Sequence, residues 1–351
     1  MPDFGSLSLV ANLAIFAASA VVVWIAGVRM VRLVDRLAER TGMGKGFAGA
    51  LLLGGIVSLT EIATVSSAAS TGSPLLALNN LFGSESINLF LLAAADPVAG
   101  REALTSFAAR PALLFQGVMC IVLLTVAAIA MTVGDRLIFG VGAWSTAILL
   151  LGLLGLGLSA RYESRKVWTT HERPRSCEDD DGPTDDPARA DRKPEPRAPL
   201  YPQLIAVGLV ILAAGFLLSM TGDALAEQTG LGTSLVGFLL VGISTSLPEL
   251  STVTTAIRMK QHEMAIGDIL GSNVFNLLLI FLTDVVYDGD AVLNEVGRFE
   301  IVAALLAIAM TGVLLLGLLE RRDRTLLGMG YDSAAIIAIF LGGVALLFGL
   351  R

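Results

Sequence analysis

The chain has 351 residues, 54% of them hydrophobic and only 16% charged, with a formal net charge of −7 and a mean hydropathy of +0.75. Soluble domains carry about a quarter charged residues, so this composition excludes a water-soluble globule and indicates an integral membrane protein. The two cysteines, Cys120 and Cys177, fall on different sides of the bilayer boundary and no disulfide is expected. No Cys/His spacing suits a structural metal, and neither an enzymatic activity, a cofactor nor a nucleic-acid partner is expected.

A window of about 20 residues predicts ten apolar spans, at 8–28, 47–70, 75–95, 112–132, 138–159, 203–220, 233–257, 263–287, 299–319 and 333–350. The first has no basic n-region and is longer than a signal-peptide core, so it is expected to be a retained helix. The connections after spans 1, 3, 5, 7 and 9 hold all of the 24 basic residues except Arg136, Arg298 and Arg351. The positive-inside rule therefore places those connections in the cytoplasm and both termini outside a cell membrane.

The fifth connection, 161–202, is rich in charge and proline and poor in large aliphatics, the composition of a disordered tether. It separates a first five-span half, 1–160, from a second, 203–351. His171 and His262 are isolated and are expected to have surface roles.

Each half carries a copy of one pattern, at an offset of 188 and without gaps, over 49–96 and 237–284. "GGIVSLTEIATV" in the first copy faces "GISTSLPELSTV" in the second. The paired identities include Gly54 with Gly242, Ser58 with Ser246, Glu61 with Glu249, Thr64 with Thr252, Ser84 with Ser272 and Asn88 with Asn276. Five spans per half means that the copies enter the membrane from opposite faces. The expected architecture is an all-α polytopic membrane protein of ten transmembrane helices, arranged as two inverted five-helix repeats with the site at the midplane.

An ionised group at the bilayer centre costs from about 2.5 kcal/mol upward. Glu61 and Glu249 fall at midspan with no lysine or arginine nearby, so the expected partner is a cation. With hairpin turns near Gly72 and Lys260, Glu249 and Asp268 lie about 16 Å and 12 Å deep at 1.5 Å per residue. Glu61 and Asn80 hold the same levels in the first copy.

Ser58 precedes Glu61, and Thr245 and Ser246 precede Glu249, by about one helical turn. Gly54 and Gly242 loosen the helices there, and Pro248 frees a carbonyl one turn earlier. An all-oxygen set with up to three carboxylates suits a hard cation, with calcium fitting best and sodium using part of the set. Thr64, Thr252, Ser272 and Asn276 taken singly read equally well as helix-packing residues.

These stretches resemble the two alpha-repeats of the cation/calcium antiporter superfamily, which includes the sodium/calcium exchangers. "GISTSLPEL" and "AIGDILGSNVFN" are the nearer match. The resemblance implies the sodium/calcium exchanger fold, with Glu61 and Glu249 as central cation ligands. It implies that Thr245 contributes its hydroxyl and carbonyl, Ser58 and Ser246 their hydroxyls, and that Asn80 and Asp268 line the centre. It further implies exchange of calcium for sodium or protons by alternating access, the first and sixth spans sliding past the rest.

The first copy departs from the family pattern. Thr60 stands where proline is expected, Val57 where threonine is expected, and Glu85 where asparagine is expected. Glu85 leads to an expectation of proton coupling, against a plain reading as a residue at a cavity mouth. The alternatives within and beyond transport are a monovalent cation/proton antiporter, a channel, and an intramembrane aspartyl protease built on Asp268. The last lacks its second aspartate, since position 80 is asparagine.

Overall fold

Local chemistry sets the helix boundaries in the computed structural model, which describes residues 4–70, 72–100, 103–107, 110–163, 200–228, 242–320, 325–326 and 329–349. Ser8 caps α1 (Leu9–Thr41), its hydroxyl accepting from the Ala11 N–H at 3.3 Å, and Gly42 ends it in the left-handed region at φ 69°. This helix runs well past the predicted end at 28 because its last third is amphipathic. Val31, Val34, Leu37 and Ala38 are buried there, while Arg29, Arg32, Arg36 and Arg40 are exposed.

The second span is a composite of α2 (Lys45–Ala48), a π-helical turn (Gly49–Gly54), α3 (Gly55–Val57) and α4 (Leu59–Ser70). It turns at Gly72, φ 77°, into α5 (Pro74–Ala95), whose proline opens the helix where no donor is needed. After α6 (Leu104–Phe107) and α7 (Pro111–Val133), a hairpin of β1 (Leu137–Ile138) and β2 (Val141–Gly142) leads into α8 (Ala143–Glu163). The second half comprises α9 (Leu200–Gln228), α10 (Gly242–Thr245), α11 (Leu247–Arg258), α12 (His262–Val286), α13 (Arg298–Glu320), β3 (Thr325–Leu326), β4 (Met329–Gly330) and α14 (Tyr331–Gly349).

Among the described residues eight helices are long and apolar enough to cross a membrane, and Ala143–Ser159 is a shorter apolar helix. The predicted span 233–257 enters the described residues only at Gly242. Most of the predicted tether, with His171 and Cys177, lies outside them, as do residues 237–241 of the second copy. Cys120 is buried and free, its thiol donating to the Leu270 carbonyl at 3.6 Å. His262, the first residue of α12, is half-buried.

The two hairpins were not expected from the sequence. They pair Leu137 with Gly142 and Ile138 with Val141, and Thr325 with Gly330 and Leu326 with Met329. Phe139 and Gly140, at φ 56° and 84°, form the two-residue turn of the first. Phe-Gly lacks the Asn-Gly signal that betrays such turns.

α1 and α9 run antiparallel, because Gln228 at the end of α9 donates to the Leu7 carbonyl just before α1, at 2.8 Å. α1 also packs on α11, and α9 on α4. The π-helical turn meets α12 backbone to backbone: a Cβ on Gly271 would stand 2.2 Å from the Ala50 carbonyl, and one on Gly54 2.6 Å from the Ser272 nitrogen. Small residues are what allow helices in lipid to approach so closely.

Candidate cation site

Two helix breaks create the site. Ser58 separates α3 from α4 with ψ −2°, and Ser246 separates α10 from α11 with ψ 4°. The helices restart at once, the Ile62 N–H donating to the Ser58 carbonyl at 3.1 Å and the Leu250 N–H to the Ser246 carbonyl at 3.0 Å. Glu61 and Glu249 therefore occupy the first turns of the restarted helices, where the positive helix end faces a carboxylate. The hairpins that follow turn at Gly72 and Lys260, both left-handed. Breaks, carboxylates and turns are each 188 residues apart.

Glu61, Glu249 and Asp268 are fully buried. The Thr60 hydroxyl stands 2.6 Å from Glu61 Oε2 and 3.0 Å from the Val57 carbonyl, while Oε1 has no partner among the described residues. Thr60 thus puts a donor where the second copy has Pro248, which has none. Neither carboxylate oxygen of Glu249 has a partner among the described residues. Thr252 donates to Asp268 Oδ2 and lies 3.0 Å from the Glu249 carbonyl, leaving Asp268 Oδ1 unpartnered among the described residues. Both Glu61 and Asp268 act electrostatically on Glu249.

Of the expected site residues, Glu61 and Asp268 lie within electrostatic reach of Glu249, and Thr252 ties Asp268 to the turn that carries Glu249. Asn80 is buried with both amide atoms unpartnered among the described residues, and the buried Ser58 and Ser246 hydroxyls are likewise unpartnered there. Thr245 is buried one residue before the second break. Gly54 presses its backbone against Asp268 and Ser272, and Gly242 opens α10. Among the described residues no three His, Cys, Asp or Glu side chains stand close enough to hold an ion without moving. Drawing the three carboxylates onto one ion therefore requires side-chain movement.

Sequence reasoning passed over part of the polar lining. Asn80, Ser84 and Asn88 in α5, and Asp268, Ser272 and Asn276 in α12, recur every four residues and so share one helix face. The Ser84 and Ser272 hydroxyls and both amide atoms of Asn276 are buried without partners among the described residues. Asn88 Nδ2 donates to Asn273 Oδ1 at 3.0 Å, and Asn273 Nδ2 to the Glu85 carbonyl at 3.2 Å, tying α5 to α12. The repeated spacing of four was the available signal. Unsatisfied polar atoms are costly where no water reaches, and each of these rows runs about 12 Å along its helix at 1.5 Å per residue.

Glu85 is fully buried, with both carboxylate oxygens unpartnered among the described residues and Cys120 within its electrostatic reach. Glu85 is thus closed off from any exposed surface in this structure, with Asn273 of α12 donating to its backbone carbonyl.

Buried carboxylates at paired helix breaks, inside a polytopic helical membrane protein, define the class of ion-translocating proteins. The model of the sodium/calcium exchanger protein family matches residues 11–162 and 200–349, and the chain belongs to that family. Its long apolar helices make it a multi-pass membrane protein of that family.

It is similar to the putative antiporter CaxA of Alkalimonas amylolytica, 30% identical over 174 residues that cover 47% of this chain and 52% of that protein. It is also similar to the inner membrane protein YrbG of Escherichia coli strain K12, 33% identical over 122 residues, 34% of this chain and 38% of that protein. The matches span about half or less of these relatives' lengths. A solved structure of the sodium-calcium exchanger NCX_Mj, soaked with sodium and strontium, shares the fold with a TM-score of 0.69 at 17% identity, over 96% of this chain and 99% of that one.

Proposed function

We propose that this chain exchanges calcium, or a similar hard divalent cation, for sodium or protons by alternating access at a midplane site. The carboxylates of Glu61, Glu249 and Asp268 form its centre. Asn80, Ser58, Thr245 and Ser246 add oxygens, as do carbonyls freed near Gly54 and Gly242. Ser84, Asn88, Ser272 and Asn276 extend the lining. The observation that carries the reading is Glu249, fully buried with neither oxygen partnered among the described residues, and repelled by Glu61 and Asp268. A buried carboxylate cluster of this kind is stable only when a cation or protons neutralise it. Because calcium and its counter-ion need the same oxygens, each displaces the other, and that competition couples their movements.

The ten-helix inverted repeat belongs to the same proposal. The breaks at Ser58 and Ser246, the left-handed turns at Gly72 and Lys260 and the two β-hairpins, all at one offset, support it. So does the basic bias that places the termini outside and the 161–202 tether in the cytoplasm.

The test is calcium uptake into proteoliposomes under an outward sodium gradient, an outward proton gradient or neither. Uptake driven by one gradient and abolished in Glu249→Gln is expected. Calcium transport at wild-type rate in Glu249→Gln would overturn the site, and movement of monovalent ions alone would replace calcium as the substrate.

A further inference from the structure

Arg29, Arg32, Arg36 and Arg40 follow one another along α1 at intervals of three or four residues, and all are exposed. At about 100° per residue they project within an arc of roughly 80°, so they form a single basic stripe. The stripe ends at a groove of about 420 Å³ between α1 and α9, within the size range of small-ligand sites. Val22, Ile25, Val207 and Val210 line its length, and Arg29 and Gln203 are its polar members.

Because α1 and α9 are antiparallel, Arg29 and Gln203 lie at the same end of the groove. Each is seven residues, about 10 Å, from the apolar end marked by Val22 or Val210. The groove is thus oily along its length and cationic at one mouth. Among the described residues no carboxylate pairs with Arg29, whereas Asp35 pairs with Lys45 at 3.5 Å and Glu263 with Arg110 at 2.7 Å.

We propose that this groove binds one anionic glycerophospholipid, with an acyl chain along Val22, Ile25, Val207 and Val210 and the headgroup phosphate on Arg29. A guanidinium is suited to a phosphate through paired hydrogen bonds. Four arginines in line favour a headgroup with no cation of its own, since each basic residue near an anionic surface adds attraction. The seated lipid bridges α1 and α9, the first helices of the two halves, and does so whichever ion the chain transports.

The test is native mass spectrometry of the full chain released from detergent, titrated with phosphatidylglycerol or phosphatidylcholine of identical acyl chains. The wild type should retain one phosphatidylglycerol with about fivefold preference over phosphatidylcholine. Arg29→Gln should abolish that preference and Arg29→Lys preserve most of it. Ala206→Leu, at an exposed position in the groove wall, should reduce retention of both lipids without touching the core. Arg136→Gln, an exposed arginine before β1, should change nothing. Equal retention of the two lipids by the wild type, a preference that survives Arg29→Gln, or retention unaffected by Ala206→Leu would each overturn the proposal.

Discussion

Asp96 and Asp284, 188 residues apart, make the same two backbone contacts with the two halves exchanged. Asp96 Oδ1 accepts from the N–H of Leu104, eight residues on, at 2.7 Å, and Oδ2 from Gly330 in the second hairpin at 2.6 Å. Asp284 Oδ1 accepts from Val292, also eight residues on, at 2.9 Å, and Oδ2 from Gly142 in the first hairpin at 2.5 Å. Each carboxylate therefore pins the end of its own long helix, α5 or α12, to the hairpin of the opposite half.

Removing either carboxylate orphans buried N–H groups, which costs more than the bonds themselves contribute. Asp96→Ala and Asp284→Ala should each destabilise the protein by roughly 2–4 kcal/mol, read as a lowered midpoint of thermal unfolding in detergent. Asp284 also accepts from the Ser145 hydroxyl at 2.6 Å, so its loss should be the larger. Equal midpoints for both variants and the wild type would mean that water or lipid satisfies these donors.

Thr252 links the two acidic residues of the second half, donating to Asp268 Oδ2 from 3.0 Å beside the Glu249 carbonyl. Thr252→Val keeps the shape and deletes the hydroxyl. Asp268 then loses its one hydrogen bond from a described side chain and its fixed orientation toward Glu249. Apparent calcium affinity should fall about tenfold, with Thr252→Ser near wild type. Isothermal titration or flux against calcium concentration measures this, and unaltered affinity in the valine variant would remove Thr252 from the site.

Gly27 in α1 and Gly215 in α9, again 188 residues apart, each meet a site-bearing helix. A Cβ at Gly27 would lie 2.6 Å from Ser251 Oγ, and one at Gly215 2.0 Å from Thr60 Cγ2, next to Glu61. If α1 and α9 slide during the transport cycle, these glycines are close passages along the way. Gly27→Ala and Gly215→Ala should slow turnover at least several-fold, Gly215→Ala more, because the methyl it strikes belongs to a stiff β-branched side chain. Gly27→Ala combined with Ser251→Gly, which removes both the Oγ at 2.6 Å and the Cβ at 2.9 Å, should recover much of the rate. Full activity in both single variants would show that the helices do not move along these contacts.

Much of this arrangement was legible in the sequence because polar residues in lipid are too costly to be placed idly. Glu61 and Glu249 at midspan, the offset of 188 and the turns at Gly72 and Lys260 all followed from that one constraint. The hairpins at 137–142 and 325–330 did not, since strands of two residues carry no period and the Phe139–Gly140 turn lacks the usual asparagine. The length of α1 was also hidden: hydropathy fades after Val28, and only the alternation of buried Val34 and Leu37 with exposed Arg32 and Arg36 sustains the helix. The faces of α5 and α12 were overlooked for a different reason. Taken singly, Ser272 and Asn276 read equally well as helix-packing residues, and Ser84 and Asn88 stand out only as paired identities; the common face emerges when each set is read together with Asn80 or Asp268.

Glu85 sets the last prediction. It stands 188 residues from Asn273, an amide that exchanges hydrogen bonds with Asn88 and with the Glu85 backbone. A carboxylate at that position has none of the amide's donors, and neither of its oxygens has a partner among the described residues. A bound proton would both neutralise the side chain and supply the donor that asparagine would have had. In proteoliposomes, calcium uptake by the wild type should follow an outward proton gradient. Glu85→Gln, which imitates the protonated acid, should still bind calcium but lose most of the proton-driven component. Calcium uptake that is independent of pH in the wild type and in Glu85→Gln alike would leave Glu85 without a part in coupling, and a sodium gradient would then be the drive to examine.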